Sequence, residues 1–337
     1  SVITNWEVWI PVCAVLESKT LTNKAGKSMQ RIIFMGTPNL ARVVVSALID
    51  RYEVAAVVTQ PDADSGRGRH LRPSPVKILA LEHHIPFLQP VKVRQPEVVE
   101  QLRALQPEAI VVAAFGQILP ASVLSLPPFG CINVHGSLLP SYRGAAPIPA
   151  AILAGDSQTG ITIMQMDAGM DTGPILTRRA LAIAPHDTTA TLTDKMATLG
   201  AELLLETLPA WFAGQITPQK QEDSLATYAP MLKREHGRID WSRSAERIER
   251  ETRAYQPWPG SFTNWGDRQL TLLRAHAITD ATPRQLPGTV IAHGVDFAVV
   301  TGKGLLVLDE LQLAGRRPMP VAEFARGQRA FGEAVLQ

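Results

Sequence analysis

Cysteine is scarce: the 337-residue chain holds two, Cys13 and Cys131. Two cysteines form no zinc-ligand spacing and are too few for a disulfide framework, so a reducing, cytoplasmic setting is expected. An excess of charge is lacking as well, with 33 Lys+Arg against 31 Asp+Glu and a net charge of +2. That balance neither demands nor excludes nucleic acid, and only a local basic patch can argue for it. No apolar run reaches the roughly 18 residues of a membrane span, so no membrane partner is expected. Internal repeats and low-complexity tracts are also absent. What remains is ordinary for a globular protein: 45% hydrophobic and 19% charged residues, in a length that suits about two domains.

Several chemistry-bearing motifs are missing in their complete form. Gly26-Lys27-Ser28 matches the end of a phosphate-binding P-loop, but Leu21 stands where its first glycine belongs and no strand leads into it. The first strand ends at Gly36-Thr37-Pro38 with only one glycine of the dinucleotide fingerprint, which removes the main support for a nicotinamide cofactor. Ser137 lies in HGSLL, which is no nucleophile elbow. His83 and His84 are adjacent on a helix and cannot converge on one ion, so no metal is expected. Residues 1–28 contain the short apolar run VWIPVCAVL, but Glu7 precedes it without a basic leader, so a signal peptide is not expected. Met29 stands directly before the strand pattern QRIIFMG and is read as the natural start, with residues 1–28 an N-terminal extension.

From Met29 onward strands and helices alternate. RIIFMG, EVAAVVT, EAIVVAAF and CINVHGS read as buried strands, separated by helices from Asn39 to Asp50 and from near Val76. AAPIPAAILAG reads as a helix whose prolines sit in its first turn. ITIMQM and PILTRRALAI follow as strands, then a helix from Thr189 to Trp211. This pattern predicts an α/β catalytic domain over 29–212, a Rossmann-like doubly wound sheet that is mostly parallel. The polar, proline-broken stretch 213–232 suits a linker. Residues 233–337 carry one helix, SAERIERETRAY, and several short strands between Gly- and Pro-bearing turns, which predicts an OB-like β-barrel domain.

The stretch CINVHGSLLPSYRGAAP holds the densest chemistry. Residues two apart in a strand share a face, so Asn133 and His135 point together. A structural Asn and His, satisfied at a strand end, is one reading. The other rests on Asp171, in the Gly-rich turn MQMDAGMDTGPIL between two strands. Asp167 and Asp171 both suit turn chemistry. An amide, an imidazole and a carboxylate nevertheless form a coherent set: Asn133 donates to a developing oxyanion, His135 transfers a proton, and Asp171 orients the imidazole. Such a set needs no side-chain nucleophile and implies direct transfer between two bound substrates. The second feature is basic: Arg67, Arg69, Arg72 and Lys77 lie in or beside the loop QPDADSGRGRHLRPSP. On charge alone such a loop is ordinarily a solvated one.

From about Arg31 to near the C-terminus the chain resembles the methionyl-tRNA formyltransferase family. The matching signatures are RIIFMGTP, TQPD followed by GRG and PSPVK, AAFGQILP, INVHGSLLPSYRGAAPI, GITIMQMDAGMDTGPIL, and RIDWS with QPWPGSF. The Asn-His-SLLP segment with its later Asp marks folate-dependent formyltransferases broadly, while the basic loop and the PWPG-bearing C-terminal domain narrow the likeness to those acting on tRNA. The resemblance implies formyl transfer from 10-formyltetrahydrofolate to the methionine of initiator methionyl-tRNA, by a monomer. It implies catalytic roles for Asn133, His135 and Asp171, and a folate pocket lined by Ser137, Leu138, Leu139 and Pro140. Leu138 and Leu139 offer apolar surface to a flat heterocycle. It also implies that the loop carrying Arg67, Arg69 and Arg72, with Lys77 beside it, enters the tRNA acceptor end, where weakly paired bases can be splayed and contacted. The C-terminal domain from Lys233 has 15 Lys+Arg against 12 Asp+Glu, only a weak basic excess. Two alternatives stay open: another folate formyltransferase or hydrolase with the same Asn-His-Asp set, and a non-catalytic RNA-binding protein built on an OB-like barrel.

Overall fold

The computed structural model describes residues 29–65, 70–281 and 284–337. The extension 1–28, with Cys13, and the loop residues Arg67 and Arg69 lie outside the described residues. Two compact units emerge, and no single cut in the chain separates them. The first takes in the described residues through Arg143 together with Gly160–Ala180 and Asp194–Thr227. The second takes in Gly144–Thr159, Leu181–Thr193 and Tyr228–Gln337.

The chain enters its first unit through β1 (Arg31–Gly36), buried over five of its six residues. α1 (Asn39–Ile49) follows and buries Leu40, Ala41, Val44, Val45 and Leu48, a stripe at helical spacing. β2 (Glu53–Val58) is buried over its last four residues. The basic loop after it contains a feature the sequence did not suggest, a short antiparallel ribbon of β3 (Ala63–Ser65) and β4 (His70–Arg72). α2 (Pro75–Glu82) starts where the Ser74 hydroxyl accepts the Lys77 amide at 3.1 Å, with proline at its first position. β5 (Phe87–Leu88), α3 (Pro96–Ala104), β6 (Ala109–Ala113), α4 (Ala121–Leu124) and β7 (Cys131–His135) complete the doubly wound part. α5 (Pro147–Ala154) closes on Gly155, whose φ of 80° ends the helix. β8 (Gln158–Gln165), β9 (Ile175–Ala182) and the long α6 (Thr189–Phe212) follow.

These strands form one seven-stranded sheet in the order β5-β2-β1-β6-β7-β8-β9. The first five pair in parallel, and β8 runs antiparallel to β7. The sheet is therefore the mostly parallel, Rossmann-like one that the alternating pattern predicts. Strand order reverses between β1 and β6, which opens a crevice at their carboxyl ends. Ile33, Val58, Leu102, Ile110 and Val112 lie in the core on one side of it.

The second unit carries an antiparallel sheet. α7 (Ala245–Ala254) starts at Ser244, whose hydroxyl accepts the Arg247 amide at 3.3 Å. β10 (Ser261–Trp265), β11 (Arg268–Ile278), β12 (Val290–His293), β13 (Asp296–Val300) and β14 (Leu305–Leu313) then pair in the order β10-β11-β14-β13-β12. β15 (Met319–Pro320) joins β14, and α8 (Val321–Gly327), which the sequence pattern did not suggest, follows it. The last residues close the sheet. Val335 bridges Thr289, and Asn264 and Gln337 exchange amide-to-carbonyl bonds at 2.7 and 3.0 Å. One tail thus satisfies backbone groups of both β10 and the β12 edge, which gives the OB-like closure. Trp265, Phe324 and Phe331 meet edge-on with ring centroids 5.0–5.6 Å apart.

Gly36, the lone survivor of a dinucleotide-like glycine pattern, has a packing reason. A Cβ there would lie 2.6 Å from the Ala113 carbonyl oxygen and 2.6 Å from Ala41 Cβ. β1, β6 and α1 therefore meet through an absent side chain. Gly36→Ala is expected to destabilise the fold by about 1–3 kcal/mol, the ordinary cost of overpacking. Chemical denaturation checks this, and an unchanged midpoint would show that strand and helix can part freely.

Candidate active site

Asn133 and His135 lie on β7 with the alternation their spacing requires. Asn133 pairs with Val112 of β6 and Met164 of β8, and His135 pairs with Thr162 of β8. His135 is 5% exposed, so its ring nitrogens must find partners within the protein. Nε2 lies 3.0 Å from the Tyr142 carbonyl oxygen. A carbonyl only accepts, so Nε2 carries the hydrogen. Nδ1 faces Asp171 Oδ2 at 3.7 Å, and Asn133 Nδ2 donates to Asp171 Oδ1 at 3.4 Å. One carboxylate thus faces the amide and the imidazole together, one oxygen to each.

The two aspartates of the glycine-rich turn part company. Asp167 Oδ1 accepts from the Gly169 amide at 3.0 Å and the Thr172 hydroxyl at 2.6 Å, the self-bonding expected of a turn residue. Asp171 instead sends its side chain to β7 from a backbone φ of 54°. A non-glycine residue in that left-handed region costs of order 1–3 kcal/mol, although aspartate tolerates it better than most.

The loop after β7 is held from inside. Thr162, buried in β8, accepts the Leu139 amide at 3.0 Å and donates to the Ser137 carbonyl at 2.7 Å. The Ser137 hydroxyl donates to the Ser141 carbonyl at 2.5 Å. Tyr142 also has a left-handed backbone, φ 60°, and its amide donates to Thr227 Oγ1 at 2.8 Å. Of the four residues expected to line a folate pocket, Ser137 and Leu139 are fully buried, and Leu138 and Pro140 are half-buried. Leu139 packs with Met164 and Ile175. Cys131 begins β7, and burial pushes its thiol up to about 12, so it supplies no thiolate near neutral pH.

A polar network lines the carboxyl ends of β2 and β6. Gln60 donates to the Phe115 carbonyl at 3.0 Å, Gln117 donates to Gln60 at 3.4 Å, and Gln89 donates to Gln60 and Asp62 at 2.9 and 2.7 Å. Of the expected basic set, Lys77 pairs with Asp62 at 2.6 Å, while Arg72 is exposed at the end of the β3–β4 ribbon. Partial burial pushes the Asp62 carboxyl up, but hydrogen bonds from Lys77 and Gln89 and the Lys77 charge outweigh it, leaving it below the ordinary value. The structure thus brings Asn133, His135 and Asp171 together and leaves Lys77 with a carboxylate partner. Thr162, Tyr142, Gln221 and Gln60 were not singled out by sequence. Thr162 alone left a trace there, as a hydroxyl inside an apolar strand.

Among the described residues, no group of three or more His, Cys, Asp or Glu is placed to hold a metal ion, and no helix is long and apolar enough to cross a membrane.

A doubly wound domain with this cluster beside the carboxyl ends of its strands, followed by a separate β-barrel, defines a two-domain α/β transferase. The chain belongs to the formyl transferase family. The family model described as "Formyl transferase" matches residues 30–208, and "Formyl transferase, C-terminal domain" matches 231–329. Methionyl-tRNA formyltransferase of Trichlorobacter lovleyi is 52% identical over 299 residues, 88% of this chain and 94% of that protein. Its counterpart in Geobacter sulfurreducens is 50% identical over 301 residues, 89% and 94% of the two chains. Among solved structures, an N-formyltransferase of Helicobacter canadensis in complex with folinic acid and dTDP-3-aminofucose shares the fold. It has a TM-score of 0.63 at 17% identity, covering 83% of this chain and 98% of that one.

The internal bonds of the loop after β7 make a stability prediction. Thr162→Val keeps the shape but strands the Leu139 amide and the Ser137 carbonyl in a dry interior. Each lost partner costs about 1–3 kcal/mol, so the denaturation midpoint is expected to fall clearly, with Thr162→Ser restoring most of it. Equal stability of the Val and wild-type proteins would show that neither bond matters.

Proposed function

We propose that this protein transfers the formyl group of 10-formyltetrahydrofolate to the α-amine of methionine on initiator methionyl-tRNA, giving N-formylmethionyl-tRNA for translation initiation. The observation that carries the acceptor is identity of about one residue in two with methionyl-tRNA formyltransferases, across 94% of their length. The chemistry is supported by the convergence of Asn133, His135 and Asp171, an amide, an imidazole and a carboxylate.

The residues present fit a folate. Half-buried Leu138 and Pro140 offer apolar surface for a flat ring, and the Gln60 amide, held by Gln117 and the Phe115 carbonyl, stands at the same edge of the sheet for a ring's polar rim. Buried Leu139 and Ser137 shape that loop from within. When bound, 10-formyltetrahydrofolate supplies a formyl group on N10 for the methionine amine to attack. An α-amine has a lower pKa than a lysine side chain, so no strong base is required to free its lone pair. Asn133 donates toward the formyl oxygen as charge builds on it, and His135 stabilises the same charge and moves a proton. Asp171 orients the imidazole and holds a water through which a proton reaches the departing nitrogen.

The catalytic domain spans 29–212 and is joined by residues 213–232 to a tRNA-binding domain at 233–337. Arg67, Arg69, Arg72 and Lys77 reach the acceptor end of the tRNA, with Lys77 exchanging Asp62 for phosphate. The protein is a cytoplasmic monomer. Because the Helicobacter canadensis relative in fold was solved with an amino sugar nucleotide, the deciding assay offers both acceptors. Formyl transfer to charged initiator tRNA supports the reading, and transfer only to the sugar-nucleotide amine sinks it.

Asn133→Ala and His135→Ala are each expected to cut turnover about a hundredfold or more, as loss of an oxyanion donor or an acid–base group does. Near-normal turnover of either folded variant removes that residue from the reaction. Arg67→Ala is expected to raise KM for methionyl-tRNA and leave binding of a folate analogue intact. Arg67→Lys should recover only part, because an ammonium neither forks to phosphate nor stacks as a guanidinium does. Weakened folate binding with unchanged tRNA kinetics would put Arg67 in the folate pocket instead.

A further inference from the structure

Residues 219–229 read as linker by composition, yet they grip both loops that build the candidate site. Gln219 and Ile175 exchange backbone bonds at 2.8 Å. Thr227 accepts the Tyr142 amide on its hydroxyl and the Arg143 amide on its carbonyl, both at 2.8 Å. Between them lies Gln221, 5% exposed. Its Nε2 donates to the Asp171 carbonyl at 2.8 Å and the Gly173 carbonyl at 2.7 Å. Its Oε1 accepts from Arg143 Nε at 3.1 Å and Nη2 at 2.9 Å. Arg143 is 2% exposed, and its Nη2 also reaches Asp223 at 2.8 Å.

The orientation of that amide has only one solution. A guanidinium only donates, so the oxygen of Gln221 must face Arg143, and the two amide hydrogens must face the two carbonyls. All four bonding positions of the amide are then used. Arg143 belongs to the loop after β7, whose Tyr142 carbonyl holds His135. The Asp171 carbonyl belongs to the turn whose carboxylate faces Asn133 and His135 from a left-handed backbone. One amide therefore ties the two loops, and it grips Asp171 at the peptide whose rotation would swing the carboxylate away.

We propose that Gln221, oriented by Arg143, is a positioning residue that keeps the Asp171 carboxylate aligned with His135 and Asn133 for the transfer step. This rests on the formyl-transfer reading above. The distinguishing variant is Gln221→Glu. A carboxylate of the same size still accepts the Arg143 guanidinium, so the buried cation keeps its partner. It has no hydrogens for the two carbonyls, so Asp171 loses its grip. If Gln221 served only to satisfy Arg143, this change would leave the rate of transfer unchanged in the folded protein.

The test is a double-mutant cycle of Gln221→Glu with Asp171→Asn, read by single-turnover formylation of methionyl-tRNA. It runs beside calorimetry of a folate analogue and thermal melting. In the wild-type background Gln221→Glu is expected to slow transfer about 10- to 100-fold, the cost of a small misplacement of a reacting group. KM for tRNA and folate affinity should hold. In the Asp171→Asn background it should add almost nothing, because the group it positions is already lost. Full transfer by Gln221→Glu, or the same fold-loss in both backgrounds, overturns the proposal. Should Gln221→Glu fail to fold, Arg143→Lys carries the cycle: it keeps the charge but not the fork, and its loss should likewise vanish beside Asp171→Asn. A wild-type protein active only on the sugar-nucleotide amine overturns the acceptor, and the same cycle then reads Gln221 with that amine.

Discussion

The candidate site depends on a single carboxylate being held where the backbone does not favour it. Asn133 and His135 come together at no cost, since the pleat of β7 places them on one face. Asp171 arrives from 38 residues away in sequence, in a turn with left-handed backbone. The left-handed backbone must be offset elsewhere. The offset comes from polar neighbours bonded to the two loops. Thr162 fills the bonds beneath the loop after β7, and the Gln221 amide binds the turn itself. Remove that framework and an amide and an imidazole remain at a strand end, the bland arrangement that their spacing also allows.

This places the candidate site at the meeting of three chain segments with different physical characters. β7 is rigid, paired on both sides and buried. The loop after it is held by hydroxyl and carbonyl bonds, which fix direction but add little to stability one by one. The stretch near Gln221 is polar and exposed in most of its residues, and it is attached by backbone bonds at Gln219 and Thr227, the Thr227 hydroxyl and the buried side chain of Gln221. Arg143 shows the price of this design, a buried cation whose desolvation is offset by Gln221 and by Asp223 at the surface. The barrel of the second unit works by another principle. Its edges are closed by the last four residues, so that unit holds its shape through backbone pairing and an aromatic core.

Much of the architecture was legible in the residues. The apolar runs of β1, β2, β6 and β7 have the short length and β-branched content that suit buried strands, and their alternation with helical stripes leads to a doubly wound sheet. The short strands after Lys233 announced the barrel. The antiparallel entry of β8 was not legible, because an antiparallel buried strand has the same apolar pattern as a parallel one. The β3–β4 ribbon and α8 were hidden by short lengths that carry too few residues for any period to show.

For the site, strand periodicity alone puts Asn133 beside His135, and glycine-rich composition marks 166–174 as a turn. Asp167 and Asp171 suit turns equally, and the set read from the sequence took Asp171. Tertiary structure separates them: Asp167 spends its carboxylate on Gly169 and Thr172, while Asp171 reaches β7. Gln221 was invisible for a stronger reason. One glutamine among several in a polar stretch has no local signature, and its orientation is dictated by a buried guanidinium 78 residues away. Local sequence determined which side chains share a strand face, because a pleat has a fixed period of two. Only the folded chain decided which distant amide holds which carbonyl, because hydrogen-bond direction is set by partners that sequence neighbourhood does not contain.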